Sequence, residues 1–186
     1  MHKESFGENY EFKNKALFRR YTNTLRFLKK HIDPKAKILD LGVENPLSKY
    51  LIDQGFDVSN TEDGLDLDTD YQQVNSKGFD VVTSFELFEH MVAPFNILRN
   101  LESEYLVASV PLKLWFAEAY WNEKDPWDRH YHEFEPKQFD MLLEKSGWTI
   151  LDREQWTSHS NGLGIRPILR RFTPRYYIVY CQRSKS

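Results

Sequence analysis

Glu86, Glu89 and His90 fall within five consecutive positions, directly after the apolar run Phe79-Asp80-Val81-Val82-Thr83-Ser84. A histidine flanked by carboxylates is a general-base candidate, and the same acids could instead serve a helix start, where negative charge is favourable. Asp40 follows the short strand-like run Lys37-Ile38-Leu39, and Gly42 comes two residues on. Glycine at a strand end lets a ligand approach the backbone closely. Glu62 stands 20 residues beyond Gly42, the separation at which an acid accepts from the two hydroxyls of a ribose in nucleotide-binding α/β folds. Such charge-assisted hydrogen bonds contribute ~1.5–3 kcal/mol each. Asp63 and Asp66 are alternatives for that role, and Asp66 with Leu67 sets a polar beside an apolar group where a purine ring could lie. His130 and His132 lie two apart and could ligate a metal, but no third or fourth ligand stands at a recognisable spacing, so no metal site is expected.

These groups need elements to hold them. Leu17, Phe18, Tyr21, Leu25, Leu28 and Ile32 recur at intervals of three and four, which predicts an amphipathic helix ended by Asp33-Pro34. Lys37–Gly42 reads as a buried strand. Asn45-Pro46 then opens a helix, with Asn as N-cap and Pro at the first helical position, closed by Gly55. Phe56–Thr61 is a second strand, Leu65–Asp68 a short third and Phe79–Ser84 a fourth. A helix over Pro94–Leu101, a strand over Tyr105–Val110 and a helix from Pro136 to Gly147 follow. Thr149–Gln155 and Tyr176–Gln182 alternate as strands do. Strands that alternate with helices mean a mostly parallel sheet covered on both faces, in one domain over residues 1–186. Residues 1–35 form an N-terminal helical segment. Pro111–Glu135 and Ser158–Pro174 read as irregular; the first, with Trp115, Phe116, Tyr120, Trp121 and Trp127, is expected to be a lid over a substrate pocket.

Charge is distributed unevenly. Residues 38–110 carry 14 Asp/Glu against 3 Lys/Arg, while residues 1–37 carry 10 Lys/Arg against 4 Asp/Glu. An acidic middle suits a ligand with positive charge and disfavours nucleic acid, although Arg166, Arg170, Arg171 and Arg175 form a basic patch. The basic N-terminal segment is expected to be the solvated face of its helix. No apolar run approaches the ~20 residues of a membrane helix, and Met1–Asn9 holds no apolar stretch, so neither a span nor a secretory leader is expected. With one cysteine, Cys181, no internal disulfide forms and a reducing cytoplasm is the expected compartment. A dinucleotide-binding Gly-x-Gly-x-x-Gly would need glycine at Glu44 and Leu47; both are absent.

The ordered segments "ILDLG", "FDVVTSFELFEHM", "NILRNL" and "HEFEPKQFDMLLEKSGW", with an acid after the second strand, resemble the class I S-adenosylmethionine-dependent methyltransferases over residues 36–182. The similarity is strongest to small-molecule enzymes with a Glu-x-x-Glu-His turn after the fourth strand. It implies a Rossmann-like three-layer sandwich whose seven-stranded sheet ends in an antiparallel strand. It implies that Asp40, Gly42 and Val43 face the methionine part of S-adenosylmethionine, and that Glu62 holds the ribose. Asp63, Asp66 and Leu67 would border the adenine, and Ser84, Phe85 and Glu86 the sulfonium side. His132 matches a histidine bordering the substrate pocket, so His132 and His90 are the catalytic candidates. The implied activity is methyl transfer to a small-molecule acceptor by a monomer or homodimer. The alternative is a non-catalytic domain of this fold that binds a partner or a nucleoside.

The sequence departs from the family in the loop after the first strand. Asp-x-Gly-x-Gly-x-Gly becomes Asp40-Leu41-Gly42-Val43-Glu44-Asn45-Pro46. Proline fits a first helical turn. Glu44 facing the cofactor carboxylate at ~6 Å would cost ~3 kcal/mol at an effective dielectric of 20, and facing the ammonium it would gain a similar amount. Facing solvent, it would do neither.

Overall fold

A computed structural model describes residues 15–158 and 164–184. Helix α1 (Lys15–His31) turns Tyr21, Leu25 and Leu28 inward and ends on Lys29, Lys30 and His31, cations that complement the carbonyl end of the helix. Strand β1 (Lys37–Asp40) leads to α2 (Pro46–Asp53) and β2 (Asp57–Asn60). Strand β3 (Val81–Phe85), helix α3 (Pro94–Asn100) and strand β4 (Tyr105–Pro111) follow. Helix α4 (Pro136–Lys145), strand β5 (Trp148–Thr157), helix α5 (Ile165–Phe172) and strand β6 (Pro174–Arg183) complete the described chain.

The strands form one mixed sheet in the order β2-β1-β3-β4-β6-β5, parallel from β2 through β4, with β6 antiparallel to both neighbours. Successive side chains alternate faces, and the sheet therefore builds two cores. Ile38, Val81, Val107 and Ile178 pack on one face beneath Tyr21, Phe27 and Leu28 of α1 and Leu47, Tyr50 and Leu51 of α2. Leu39, Val82, Leu106 and Val179 pack on the other beneath Ile97 and Leu98 of α3 and Phe139 and Leu143 of α4. This is the expected three-layer sandwich with a reversed last strand.

Two expectations are corrected. The sheet has six strands rather than seven, because Leu65–Asp68 forms turns. There the Asp66 carboxylate accepts from the Asp68 amide (3.0 Å) and the Asp70 carboxylate from the Asp66 amide (3.0 Å). Side-chain acceptors thus take the amides that a ladder would need. Leu67 still enters the core. The second correction is α5, which falls inside the stretch expected to be irregular. Ile165, Ile168 and Phe172 have helical spacing but all remain exposed, so no packing contrast marked the segment as a helix; residues 159–163 lie outside the described residues.

The basic face of α1 is spent on this same chain: Arg26 meets Glu154 at 2.5 Å and Lys30 meets Asp152 at 2.6 Å, both acids on β5. Residues 1–14 of the N-terminal segment lie outside the described residues. Among the described residues no helix is long and apolar enough to cross a membrane.

Candidate active site

The carboxyl ends of β1, β2 and β3 meet at Asp40. Its side chain is 2 % exposed; Oδ1 accepts from the Thr83 hydroxyl at 2.6 Å and Oδ2 from the Asn60 amide at 3.4 Å. Burial pushes the Asp40 carboxyl up to about 6, against the pull of Thr83, Asn45 and Asn60. Thr61 continues the clamp: the Gly42 amide donates to its hydroxyl oxygen at 2.9 Å, and that hydroxyl donates to the Gly42 carbonyl at 3.1 Å. Gly42 sits at φ +100, and a Cβ built there would meet no atom within 4 Å. The loop is therefore held from beneath and open above, as a backbone that receives a ligand must be.

Asn45 caps α2 as its position suggests. Its side-chain oxygen accepts from the Leu47 and Ser48 amides at 2.9 and 3.2 Å, and Ser48 Oγ accepts from the Asn45 amide at 2.9 Å. With Pro46 lacking an amide hydrogen, the first turn keeps few free donors, unlike a glycine-rich anion loop. Glu44 turns to solvent, its side chain 57 % exposed and 2.9 Å from Lys49 Nζ. Val43 is exposed too.

Beside this loop lies a cavity of about 300 Å³, lined among others by Arg20, Asn45, Phe85, Glu86, His90 and Ser109. Glu86 directly follows β3 at φ +55, in the left-handed region that non-glycine residues adopt at a cost, commonly at functional sites. Its Oε1 accepts from the Ser109 hydroxyl at 2.9 Å and its Oε2 lies 3.7 Å from Arg20 Nη1. Burial raises its carboxyl, and the Arg20 guanidinium opposes that. Arg20 is held between two rings, 5.6 Å from Tyr21 and 5.9 Å from Tyr176, and its Nε is buried with no hydrogen-bond partner among the described residues.

Glu89 is 1 % exposed. Burial first, and the neighbouring Glu86 charge second, push its carboxyl well above the carboxylate range. Its backbone carbonyl accepts from the Tyr131 and His132 amides at 2.7 and 3.2 Å, which fastens the end of the 111–135 segment over the β3 turn. His90 and His130 meet there with ring centroids 4.9 Å apart at 85°. Burial, then His130, lowers the basicity of His90.

The two catalytic candidates do not meet. His90 faces the cavity with Glu86, whereas His132 contacts the Val92 carbonyl at 3.2 Å and lines a separate cavity of about 500 Å³ with Pro94, Phe95 and Phe134. His130, not His132, approaches His90. Glu62 and Asp63 are exposed just past β2, Asp66 is half-buried in the turn that replaces the third strand, and Ser84 is buried under the Glu86 turn. The 111–135 segment is part core and part surface: Leu112, Leu114 and Phe134 are buried, while Trp115, Tyr120, Trp121 and Trp127 are exposed. Sequence reasoning missed Arg20, Asn60, Thr61 and Thr83 at the site, and it paired His130 with His132 rather than with His90. Asn60 and Thr61 carried a signal, since both fall at the end of a parallel strand adjacent to Asp40.

No family model and no curated sequence matches the chain, but solved structures do. A S-adenosylmethionine-dependent methyltransferase from Mesorhizobium loti has a TM-score of 0.60 at 14% identity, covering 92% of this chain and 99% of that one. Magnesium protoporphyrin IX methyltransferase from Synechocystis, solved with bound S-adenosylmethionine, has a TM-score of 0.57 at 13% identity, covering 91% and 80%. The fold is that of S-adenosylmethionine-dependent methyltransferases. The [4+2]-cyclase SpnF shares it as well, with a TM-score of 0.52 at 13% identity over 88% of this chain and 82% of that one, so this methyltransferase-like fold does not by itself name the reaction.

Proposed function

We propose that this protein binds S-adenosylmethionine and transfers its methyl group to a small-molecule acceptor. The observation that carries the reading is the open loop at Gly42, held by Asn60 and Thr61 beside a cavity that reaches Glu86 and His90. The residues fit the cofactor: an open backbone for the methionine part, acids for a ligand with sulfonium and ammonium charges, and Glu62, Asp63 and Asp66 within the turn past β2 for ribose and adenine. When bound, the cofactor supplies a methyl carbon already activated by positive sulfur. The protein's task is then to hold the acceptor in line and exclude water. Phe85 and Ser109 wall the cavity, and Glu86 sets negative charge beside it. His90, its basicity lowered by burial, is the group positioned to take a proton from an acceptor that carries one.

A non-catalytic role in nucleoside or partner binding is the second reading, favoured by the altered loop at Glu44–Pro46 and by the cyclase that shares the fold. A cytoplasmic monomer or homodimer is the setting proposed for either. Calorimetry with S-adenosylmethionine and S-adenosylhomocysteine tests the first step. Micromolar binding of both is expected, weakened about ten- to a hundredfold by Glu62→Ala; no heat from folded protein with either compound overturns the proposal.

A further inference from the structure

We propose that helix α5 docks this protein on the surface of an anionic phospholipid bilayer. At ~100° per residue, Ile165, Ile168, Leu169 and Phe172 share one side of the helix, and Arg166, Arg170 and Arg171 take the rest of its circumference. The apolar side is bare: Ile165, Ile168 and Phe172 are 76, 54 and 80 % exposed, and no residue of α5 is buried. A helix this short does not persist in water on propensity alone; packing of its apolar stripe normally holds it. The stripe of α5 belongs to neither core, so the surface that covers it comes from outside the chain.

Charge selects the occupant. Residues 155–186 carry six Lys/Arg and no Asp/Glu, in a chain whose net charge is −3. Arg153 and Arg175 are spent on Asp140 and Glu133 of this chain, but among the described residues none of Arg166, Arg170 and Arg171 forms an ion pair. Free guanidinium groups flanking an apolar stripe match a surface that is anionic at its face and apolar just beneath, as a bilayer with acidic headgroups is. A second observation favours lipid over a protein groove. Lys113 and Trp115 are exposed where the chain leaves β4, and tryptophan settles at the headgroup level. They share the end of the sheet with α5, because Pro111 of β4 pairs with Tyr176 of β6, and Tyr176 with Trp156 of β5.

At 1.5 Å per residue α5 is about 12 Å long, far short of a ~30 Å hydrocarbon core. It lies along the surface and does not cross. The Tyr176 ring, four residues past α5, stands 5.9 Å from Arg20, which lines the cavity beside Glu86. Docking through α5 therefore turns the cavity end of the sheet toward the bilayer, where a lipid-soluble acceptor is concentrated. That acceptor class rests on the methyl-transfer reading; the docking itself does not.

The experiment sediments the full chain with vesicles of phosphatidylcholine alone, and of equal parts phosphatidylcholine and phosphatidylglycerol. Binding to the mixed vesicles about tenfold tighter than to phosphatidylcholine is expected, and it should weaken in high salt. Ile168→Asp combined with Phe172→Asp, both at exposed positions, should reduce binding to mixed vesicles about tenfold or more. Arg170→Gln combined with Arg171→Gln should remove most of the preference for anionic lipid. No cosedimentation of wild type, or wild-type binding by both variants with native circular dichroism, overturns the proposal. Without lipid, the mass of the chain by analytical ultracentrifugation should be the same in wild type and the Ile168/Phe172 variant. A dimer that this variant disperses, with no vesicle binding, assigns the stripe to a second copy and overturns docking. S-adenosylhomocysteine calorimetry without vesicles separates the two proposals. Nucleoside binding without vesicle binding removes docking alone. Vesicle binding without nucleoside binding upholds docking and removes the methyl-transfer reading, together with the acceptor class that rests on it.

Discussion

Glu44 Oε1 lies 2.9 Å from Lys49 Nζ, and both side chains are more than half exposed. The acid that breaks the family's glycine pattern therefore points along α2 into water rather than over Gly42. An exposed ion pair of this kind contributes little, and solvent screens its charge from the proposed cofactor site. Glu44→Gly is accordingly expected to change S-adenosylhomocysteine affinity by less than ~0.5 kcal/mol, the usual range of surface substitutions. Calorimetry of the variant decides; a tenfold change in either direction would put the carboxylate back at the ligand.

Asp40 sets a pH dependence with an unusual sign. Its carboxyl is raised from 3.8 to about 6 in the folded protein, so the native state holds a proton that the unfolded chain has released. Stability from this group is complete at low pH and is lost as pH climbs from about 4 through 6. The interval corresponds to about 3 kcal/mol at the linkage slope. Asp40→Asn removes the titration. The stability of wild type relative to the variant, from urea midpoints taken stepwise between pH 4 and 7, should fall across this window; a constant difference would show that the carboxyl ionises normally.

The helices around this site were legible where the signal was local. Asn45-Pro46 announced a cap and a first turn, and both stand as read; the structure adds the reciprocal Ser48 contact. Ile38 and Leu39 announced a strand buried on two sides, and they enter opposite cores. Leu65–Asp68 alternates as a strand does, but the Asp66 and Asp70 side-chain acceptors take the amides that a ladder would need. The site was legible only in its first half. His130 and Glu89 belong together through backbone bonds between segments far apart in sequence, and a search by residue spacing has no access to such a pairing. Arg20 was hidden for the same reason: its helix reaches the cavity only after α1 packs across the β1–β3 face.

The 111–135 segment should exchange amide hydrogens in two regimes. Leu112 donates to the Arg175 carbonyl, Lys113 to Phe134, and Tyr131 and His132 to Glu89. Those four amides sit at the clasped ends of the segment, next to buried Leu112, Leu114 and Phe134. Between them, Trp115 and Trp127 are 72% and 74% exposed, and local opening there exposes little apolar surface. Slow exchange at the ends and fast exchange over about 115–128 are expected in the ligand-free protein, with the middle slowing when cofactor and acceptor are both bound. Uniform protection equal to that of β3 would mean that the whole segment is fixed and does not act as a lid.

On the proposed reading, Arg20 is positioned to meet the carboxylate of a bound methionine moiety. The first turn of α2 has little to offer that group, since Asn45 already occupies the Leu47 and Ser48 amides and Pro46 has none. Arg20 lines the cavity, its Nε is buried without a partner among the described residues, and its contact with Glu86 at 3.7 Å is too long to saturate a guanidinium with five donors. A charge-assisted pair with a carboxylate contributes ~1.5–3 kcal/mol. Arg20→Met should therefore weaken S-adenosylhomocysteine binding about ten- to a hundredfold. Arg20→Lys keeps the charge beside Glu86 but loses the planar fork, so it should recover only part of the affinity. Adenosine, which lacks the carboxylate, supplies the control: its affinity should be nearly the same in all three proteins. Equal losses for adenosine and S-adenosylhomocysteine would show that Arg20 supports the cavity through Tyr21 and Tyr176 instead of meeting the ligand.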